Sequence, residues 1–417
     1  MNVVEITGVS SDGDGVGRLA DGRVAFVPDT FPGDTVTVRL TEEKKRVAHA
    51  VVVDRLTESS DRVDPLCTRL RCGGCAWRAL DAGVGRLLKR QRVLETLKRI
   101  GNVEVDATLL SAPEPVWGYR HRVRLHASYE NENWQLGYFA RRSHDLVPLI
   151  GCPVLWPELE QSCLALAQEL RTVPPEVLIQ DVEVAYSRRE DRAAARIRIT
   201  GDSDPLRSRL EDFDMFSGVE VVSPSGRWSH GRLTLRYDHA KAAEWDLRFE
   251  PGLFTQAFPE VNDSMVDLVR KLVRPRDGVR VLELHAGVGN FSIPLARAGA
   301  AVVAVEEVRR SAILNRRNAA AAGVAVEARA CTDLEALDGT AYDVLLLDPP
   351  RIGARAVAEG IARCPAKQIV YVSCDPATLA RDAARLVENG YGIESLHVLD
   401  MFPQTPHVES VMCLRRL

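Results

Sequence analysis

Three patterns of hydrophobic and polar positions follow one another along the chain. In residues 1–56, short alternating runs such as RVAFVP, DTVTVRL and VAHAVVVDRL are separated by segments rich in Gly, Asp and Pro. Alternation with a period of two residues predicts strands, and the residues between them predict tight turns. We expect a small five-stranded β-barrel here, which is either an oligonucleotide-binding module or a purely structural cap.

Residues 57–250 mix helical and strand-like periods. The segment from Gly83 to Gly101 has helical spacing and stops at a glycine. The run YRHRVRLHASYENENWQLGYFARR alternates like a hairpin with a polar turn from Glu130 to Asn133, and DVEVAYSRREDRAAARIRIT predicts a second hairpin. Together these patterns predict an α+β central domain.

From residue 251 to residue 417, strand-like runs alternate with helical stretches rich in Ala and Arg. The predicted strands end in VLELHAGVGNF, AVVAVEEV, YDVLLLDPP and QIVYVSCD, and SVMCLRRL predicts a closing strand. Such alternation is typical of a doubly wound α/β domain with a largely parallel sheet.

Composition and charge narrow the possible classes of protein. The 417 residues are 46% hydrophobic and 27% charged, as in globular proteins, and their formal net charge is −4. We expect a cytoplasmic protein with no membrane partner, because no apolar run reaches spanning length and MNVVEITGVSSDGDG lacks a signal-peptide pattern. The net charge does not favour a nucleic-acid partner, but the clusters YRHRVRLH and ARRSH are locally basic.

These two basic clusters are either a solvated face or a phosphate-binding patch. We predict phosphate contacts for four of their arginines: Arg120, Arg122, Arg141 and Arg142.

A glycine turn follows the first strand of the α/β domain. Gly287 and Gly289 allow the backbone to turn tightly against a ligand, and Glu306 after the next strand is placed to bind a ribose diol. Phe291 stands where a dinucleotide fingerprint has its third glycine. The shorter motif, E-x-x-x-G-x-G, suits S-adenosylmethionine, and Asp333 could receive its adenine amino group.

A cysteine, Cys374, lies at the end of a strand and just before a helix. The carboxyl edge of an open α/β sheet binds ligands, and a helix N-terminus lowers the pKa of a thiol, so we predict a thiolate beside the cofactor. The alternative is a buried structural cysteine. Asp348 ends a neighbouring strand in a rigid Asp-Pro-Pro turn that could hold a base or a methyl donor against the sheet.

A thiolate beside a methyl donor points to methylation at C5 of a pyrimidine. Addition of the thiolate to C6 makes C5 nucleophilic, and a base must afterwards remove the C5 proton. Glu409, just before the last strand, is the candidate base.

The motifs together resemble the bacterial RNA uracil-C5 methyltransferase family (TrmA-like) over nearly the whole chain. DGRVAFVPDTFPGDTV resembles an N-terminal RNA-binding TRAM barrel, VSCDPATLARD the nucleophile motif with Cys374, and FPQTPHVESV the motif with the base Glu409. From LFTQAFPEVN and LELHAGVGNF, the resemblance implies methyl-donor contacts at Gln256, His285 and Asn290. It also implies donor contacts at Glu306, Asp333 and Asp348.

The same resemblance implies a metal centre, and nine cysteines in a cytoplasmic chain already favour metal binding or catalysis over disulfides. The implied ligands are Cys67, Cys72, Cys75 and Cys152. Four cysteines suit a [4Fe–4S] cluster, with zinc as the alternative. The family's first gap is one residue longer, and its usual Gln after the third cysteine is Ala76 here. We interpret the remaining cysteines as ordinary core or surface residues: Cys163, Cys331, Cys364 and Cys413.

Two other functions remain open at this point. A cytosine-C5 RNA methyltransferase is one, although its cysteine usually follows the Asp-Pro motif, where this chain has Arg351. A non-catalytic RNA-binding metal protein is the other. For the leading hypothesis we expect a monomer acting on structured RNA, and the presence of both barrel and cysteines favours ribosomal over transfer RNA.

Overall fold

The structure is a computed structural model that describes residues 1–110, 116–211, 213–238 and 246–417. Within these ranges, no helix is both long enough and apolar enough to cross a membrane.

The N-terminal segment forms the predicted five-stranded barrel. Its strands are β1 (Asn2–Val9), β2 (Gly15–Arg18), β3 (Val24–Val27), β4 (Thr35–Glu43) and β5 (Val47–Thr57). They close in the order β1-β2-β3-β5-β4 around a small aliphatic core. Glycine is needed in β2, because a Cβ at Gly15 would lie 2.0 Å from Oγ1 of Thr30.

After the barrel, the chain forms the long helix α1 (Ala82–Gly101) and the short strand β6 (Thr108–Leu109). Asp81 caps α1 by accepting a hydrogen bond from the amide of Val84, and Asn102 ends it in the left-handed conformation.

The central segment is built on a seven-stranded sheet in the order β13-β12-β11-β10-β7-β8-β9. Both predicted hairpins form within it, as β7/β8 and β10/β11. Helices α2 (Pro157–Leu170) and α3 (Asp204–Glu211) cover one face, and a 3-10 turn spans Pro175–Val177. The strands are β7 (Arg122–Glu130), β8 (Asn133–Phe139), β9 (Leu146–Pro148), β10 (Ile179–Ser187), β11 (Arg192–Ile199), β12 (Phe216–Ser223) and β13 (Gly226–Gly231).

A two-stranded ribbon, β14 (Leu235–Arg236) and β15 (Arg248–Phe249), leads into the C-terminal domain. The strands of this domain's sheet are β16 (Arg280–Leu284), β17 (Ala301–Val305), β18 (Val326–Arg329), β19 (Val344–Leu347), β20 (Gln368–Ser373), β21 (Tyr391–Leu399) and β22 (Glu409–Arg416). Its helices are α4 (Pro259–Val273), α5 (Ser292–Arg297), α6 (Arg309–Ala321), α7 (Asp333–Ala336), α8 (Arg355–Gly360) and α9 (Pro376–Glu388), with a 3-10 turn at Ile361–Arg363.

The strand order is β18-β17-β16-β19-β20-β22-β21-β6, and hydrophobic cores lie on both faces. β16 to β20 are parallel, whereas β22 runs antiparallel to β20 and β21. This is the predicted doubly wound α/β architecture. The direction of the chain through the sheet reverses between β16 and β19, which is where such sheets bind ligands.

The structure adds elements that the sequence patterns did not reveal. β18 is short and only partly buried. β21 begins directly after the Asn389–Gly390 turn that ends α9, and it was not among the predicted strands. In addition, α1 packs against α9 and β6 pairs with β21, so the chain between barrel and central sheet completes the C-terminal sheet.

Candidate active site

Three ionisable side chains meet at the carboxyl edge of the C-terminal sheet. Asp348 directly follows β19, and Cys374 directly follows β20. Glu409 begins β22, in which Ser410 pairs with Ser373 of β20. The antiparallel register therefore brings Cys374 and Glu409, which are distant in sequence, to the same end of the sheet.

The environment of Cys374 favours the thiol. Burial raises its pKa to about 12; the charges of Glu409, Asp348 and Asp375 add to this increase, whereas Arg351 opposes it. The prediction of a cysteine biased towards thiolate is therefore wrong for the protein as it stands in this structure.

The start of α9 shows why the helix does not ionise the thiol. The side chain of Asp375 caps the helix and accepts hydrogen bonds from the amides of Ala377 and Thr378, each 2.9 Å long. Pro376 at the first helical position has no amide proton. A carboxylate thus occupies the positive end of the helix that the sequence argument assigned to the thiol.

The two carboxyl groups of the site also bind protons unusually tightly. Glu409 is 2% exposed. Burial, and then the charge of Asp348, raises its pKa well above the ordinary value, and Arg351 opposes the increase. Burial raises the pKa of Asp348 to about 7, against the opposing effects of the charge of His285 and a hydrogen bond from Gln256. A cation near this cluster would stabilise its ionised forms.

Arg351 is a candidate functional residue that the sequence predictions did not include. It follows the Asp-Pro-Pro turn, lowers the pKa values of both Cys374 and Glu409, and lies 3.2 Å from Nδ1 of His407 through its Nη2. Burial and then Arg351 lower the pKa of His407 to about 4, so this imidazole is neutral at neutral pH. The sequence signal was its position next to Asp348, but only the fold shows that it faces Cys374.

A small cavity lies over the glycine turn after β16. Five of the predicted cofactor residues line it: Gln256, His285, Gly287, Asn290 and Asp348. His285 and Gly287 have left-handed backbones, with φ of 61° and 54°, so the turn bends sharply after the strand.

The other two predicted cofactor residues support the same turn. Glu306 accepts hydrogen bonds from the amides of Gly287, at 2.9 Å, and Val308, at 2.8 Å. Asp333 lies 2.8 Å from Nε2 of His285; burial lowers the pKa of this histidine, but the bond to Asp333 and nearby carboxylates outweigh burial and raise it. All seven predicted residues are thus gathered at one turn.

Buried polar partners hold this cavity in shape. Asn290 exchanges two side-chain hydrogen bonds with Asn262, at 2.8 and 2.9 Å. Beneath the turn, burial raises the pKa of Glu283 to about 8, and its carboxyl group accepts a hydrogen bond from the hydroxyl of Ser292. Asn262 was absent from the sequence predictions, because an amide pairing between α4 and the turn has no local signature.

The four cysteines implied as metal ligands line a single cavity. They come from the loop before α1 and from the segment after β9, and Arg69, Arg78 and Arg120 line the same cavity. Within the described ranges, however, no group of three or more His, Cys, Asp or Glu residues is arranged to hold a metal ion. Of the other cysteines, Cys163, Cys364 and Cys413 are buried and Cys331 is partly buried.

A large cleft, of about 660 Å³, leads from Cys374 to the barrel. Its walls are the loop Ser10–Asp12 and Phe26 of the barrel, Arg92 and Arg99 of α1, and Arg351 and His407 beside the cysteine. On the wall formed by α1, Arg92 and Arg99 outnumber the single acidic residue, Glu95.

The four arginines predicted to contact phosphates are engaged within the protein. Arg141 and Arg142 both pair with Asp14 of the barrel, which is fully buried. Arg122 donates a 2.8 Å hydrogen bond to the carbonyl of Leu253, and Arg120 lies over the ring of Phe402. The prediction is not supported for this set, because sequence clustering does not distinguish a free guanidinium from one that joins two domains.

Comparisons with known proteins agree with this geometry. Residues 238–417 match the family model described as tRNA (Uracil-5-)-methyltransferase, and residues 3–53 match the TRAM domain. The chain is 35% identical to the 23S rRNA (uracil(1939)-C(5))-methyltransferase RlmD of Methylococcus capsulatus, over 99% of this chain and 96% of the relative. It is 36% identical to the protein of the same name from Halomonas elongata, over 98% and 88% of the two chains.

A solved structure shares the whole architecture. The Pyrococcus abyssi tRNA (uracil-54, C5)-methyltransferase, in complex with S-adenosyl-L-homocysteine, aligns with a TM-score of 0.75 and 24% identity over 99% of both chains. The fold and site define an S-adenosylmethionine-dependent methyltransferase with an N-terminal TRAM barrel. The chain belongs to the RNA uracil-C5 methyltransferase family and is an RNA (uracil-5-)-methyltransferase.

Proposed function

We propose that this enzyme transfers a methyl group from S-adenosylmethionine to C5 of one uridine in 23S rRNA, through a covalent bond between Cys374 and C6. The observation that carries the proposal is the placement of Cys374 opposite Glu409, beside the cofactor turn and Asp348. The choice of ribosomal RNA rests on relatives whose names specify 23S rRNA and which match the chain along almost its full length.

The first step is addition of the Cys374 thiolate to C6 of the uracil. The thiol gives its proton to solvent in the cleft, the S–C6 bond forms, and the C5=C6 electron pair moves towards O4 to give an enolate. Arg351 favours this step because its charge stabilises the thiolate, and the positive sulfonium of the methyl donor would act in the same direction. In this proposal the Cys374 thiol ionises once the methyl donor is bound. The raised thiol pKa of the protein without the donor agrees with this.

The second step is methyl transfer, and the third step uses the neighbouring carboxylate of Glu409 as a base. C5 bonds to the methyl group as the S–CH3 bond of the sulfonium breaks, which leaves a neutral thioether. Glu409 then removes the C5 proton as the S–C6 bond breaks and C5=C6 re-forms. Burial makes the Glu409 carboxylate a stronger base than an exposed one. In the adduct the sulfur carries no charge, so the repulsion between Cys374 and Glu409 is absent when the base is needed.

The cavity residues orient the methyl donor. In this proposal, Glu306 and Asp333 bind the nucleoside, while Gln256, His285, Asn290 and Asp348 surround the methionine part. Asp348 and the nearby carboxylates suit the positive charge of the donor. The target uridine must leave its stack to reach Cys374, which the cleft beside the barrel permits.

Mapping of 5-methyluridine tests the substrate. Ribosomal RNA from a strain lacking the gene should lack one 5-methyluridine, and the purified enzyme should restore it with labelled methyl donor. Label in transfer RNA alone would exclude ribosomal RNA. Label in 5-methylcytidine would favour the cytosine alternative, which Glu409 argues against since those enzymes release their product with a second cysteine.

We also propose that Cys67, Cys72, Cys75 and Cys152 hold a [4Fe–4S] cluster. Four sulfur donors around one cavity fit a cluster, whose four irons each take one thiolate, and the arginines there would offset its negative charge. Zinc, which also binds four thiolates, is the alternative occupant. Anaerobically purified protein should be brown with about four irons per chain, whereas colourless protein with one zinc would refute the cluster.

The barrel at residues 1–56, the central segment at 57–250 and the catalytic segment at 251–417 would then have separate tasks. The first two bind and orient RNA, and the third carries out the chemistry. The cleft between the barrel, α1 and Cys374 is the proposed path for RNA towards the cysteine.

A further inference from the structure

The loop between β21 and β22 separates two depressions on the surface. From Met401 to Val408 every residue is buried except Phe402 and His407, which are half-buried. Their rings meet edge to face, with centroids 6.1 Å apart. His407 lines the cleft that contains Cys374, and Phe402 lines a second depression of about 290 Å³ on the other side.

The second depression opens onto the central sheet. Arg122, Arg124 and Glu183 form one wall, and the segment Phe249–Gly252 forms another. Arg122 lies over the ring of Phe254 at 5.3 Å, close to the cofactor residue Gln256. The surface beside the loop between β21 and β22 is thus continuous with the face of the sheet.

That face differs from the face covered by α2 and α3. Val123 and Leu125 of β7 point into the core beneath the helices, so Arg124 and His126 belong to the opposite face. There His126 stacks on Phe139 with ring centroids 3.8 Å apart and planes within 11°. The His126–Phe139 pair lies at one end of this face, whereas Ala185 and Ala194 on the same face join the core of the C-terminal domain.

Two half-exposed guanidinium groups flank the rings. Arg124 and Arg198 have side-chain exposures of 49% and 47%, and both pair with Asp181, which is buried. Arg124, Arg198 and Asp181 together carry one net positive charge, which favours the binding of a phosphate. Rings for stacking and cations for phosphates are the combination that single-stranded RNA requires.

We propose that Arg124, His126, Phe139 and Arg198, here called the sheet platform, bind the RNA segment that lies on the side of the target uridine away from the barrel. This inference rests on the proposed function. RNA would pass from the barrel cleft over His407 and Phe402, with the uridine turned towards Cys374, and continue onto the sheet platform. The phosphates meet Arg124 and Arg198, and an unpaired base stacks against the His126–Phe139 pair.

The main test compares RNA binding by two variants with the same change in charge. The variant Arg124→Gln/Arg198→Gln/Asp181→Asn removes two positive charges and one negative charge, so that no buried carboxylate is left unpaired. The control, Arg207→Gln, removes one positive charge from α3 on the opposite face. Affinity for a 23S rRNA fragment is measured at several salt concentrations, and melting curves confirm the fold.

The salt slope is the change in the logarithm of the binding constant per unit change in the logarithm of the salt concentration. The platform variant should reduce its magnitude by roughly 1 to 2, whereas the control should leave it unchanged. Asp181→Asn alone frees both arginines, so it should bind more tightly and with a steeper slope. His126→Ala should weaken binding about tenfold with no change in slope. At saturating RNA, single-turnover methylation by the control Arg207→Gln should match wild type.

Equal affinity and slope for the platform variant and the control would overturn the inference, as would weaker binding by Asp181→Asn. Wild-type methylation of the same fragment keeps the two proposals distinct. If wild type methylates it and the platform variant binds normally, only the platform is refuted. If wild type binds the fragment but never methylates it, the proposed substrate fails instead.

Discussion

Cys374 and Glu409 lie opposite each other at the paired ends of β20 and β22, and the charge of Glu409 raises the pKa of the cysteine. The two groups therefore resist being anionic together. The proposed reaction avoids this conflict, because the sulfur is a neutral thioether when Glu409 acts as the base. Their proximity is compatible with separate roles at successive steps.

Replacement of Arg351 should shift the pH dependence of the reaction. Arg351 lowers the pKa of Cys374, so Arg351→Gln should raise that pKa and leave less thiolate at a given pH. A shift of one pKa unit would slow single turnover about tenfold on the rising limb of the pH profile. The limb should move to higher pH, and Arg351→Lys should largely restore it. An unmoved limb in Arg351→Gln would show that this charge does not act on the cysteine.

Binding of the methyl donor should depend on the protonation of Asp348. Burial raises the pKa of Asp348 to about 7, and a cationic donor favours its ionised form. Affinity for S-adenosylmethionine should therefore fall by up to about twentyfold from pH 7.5 to pH 5.5, as one protonation near pH 7 predicts. Calorimetry in two buffers should show proton release near neutral pH for wild type but less for Asp348→Asn. Identical proton release by the two proteins would rule out Asp348 as the source.

The contacts of Asp14 should stabilise the protein rather than bind RNA. Asp14 is fully buried, whereas its partners Arg141 and Arg142 have 24% and 43% exposed side chains. Arg141→Ala/Arg142→Ala leaves a buried carboxylate without its partners and should cost about 3 kcal/mol of unfolding free energy. Asp14→Asn leaves partly hydrated arginines and should cost less, about 1 kcal/mol.

Urea unfolding compares these variants, and RNA affinity is measured alongside at several salt concentrations. If Arg141→Ala/Arg142→Ala greatly reduces the salt slope of RNA binding but not the stability, these arginines contact phosphates, as predicted from the sequence.

Removal of one partner of the Lys89–Asp400 pair should lower the free energy of unfolding strongly, whereas replacement of both by apolar residues should change it little. Lys89 is 1% exposed, and its Nζ contacts Oδ1 of Asp400 at 2.5 Å and the carbonyl of Phe402 at 2.9 Å. Asp400→Asn leaves a buried ammonium without a counter-charge and should cost about 3–5 kcal/mol.

The apolar double variant Lys89→Met/Asp400→Leu should be within about 2 kcal/mol of wild type. Thermal and urea unfolding measure both. If the double variant loses as much stability as Asp400→Asn, the ion pair itself is essential to the packing of α1 on the loop between β21 and β22.

Most elements of the fold could be predicted wherever neighbouring residues in the sequence carry a periodic hydrophobic pattern. The barrel strands, both hairpins and the main strands of the α/β domain follow from alternation and turn residues. The edge strand β18 is short and polar, and β6 has two residues, so neither carries a periodic signal. That β6 and α1 join the C-terminal sheet depends on contacts more than 200 residues apart in sequence.

The site followed from motifs, but its electrostatics did not. The cysteine, the glutamate and the cofactor residues each sit in a recognisable run of sequence. The pKa of Cys374 depends on burial and on which group caps α9, and Asp375 takes the helix amides that were assigned to the thiol. Likewise, the pairing of Arg141 and Arg142 with Asp14 depends on how the barrel docks, which no local pattern records.

The central claim is that Cys374 forms the covalent bond and Glu409 releases it. Glu409→Gln keeps the shape but cannot accept the C5 proton, so thiolate addition and methyl transfer should proceed and then stop. Cys374→Ala is the matched control and should bind RNA without forming any adduct.

The deciding measurement is a denaturing gel of each variant with its RNA and labelled methyl donor. For Glu409→Gln we expect the methyl label on a slowly migrating RNA–protein band, which is absent from Cys374→Ala. Normal turnover by Glu409→Gln, or a labelled band that survives Cys374→Ala, would contradict it.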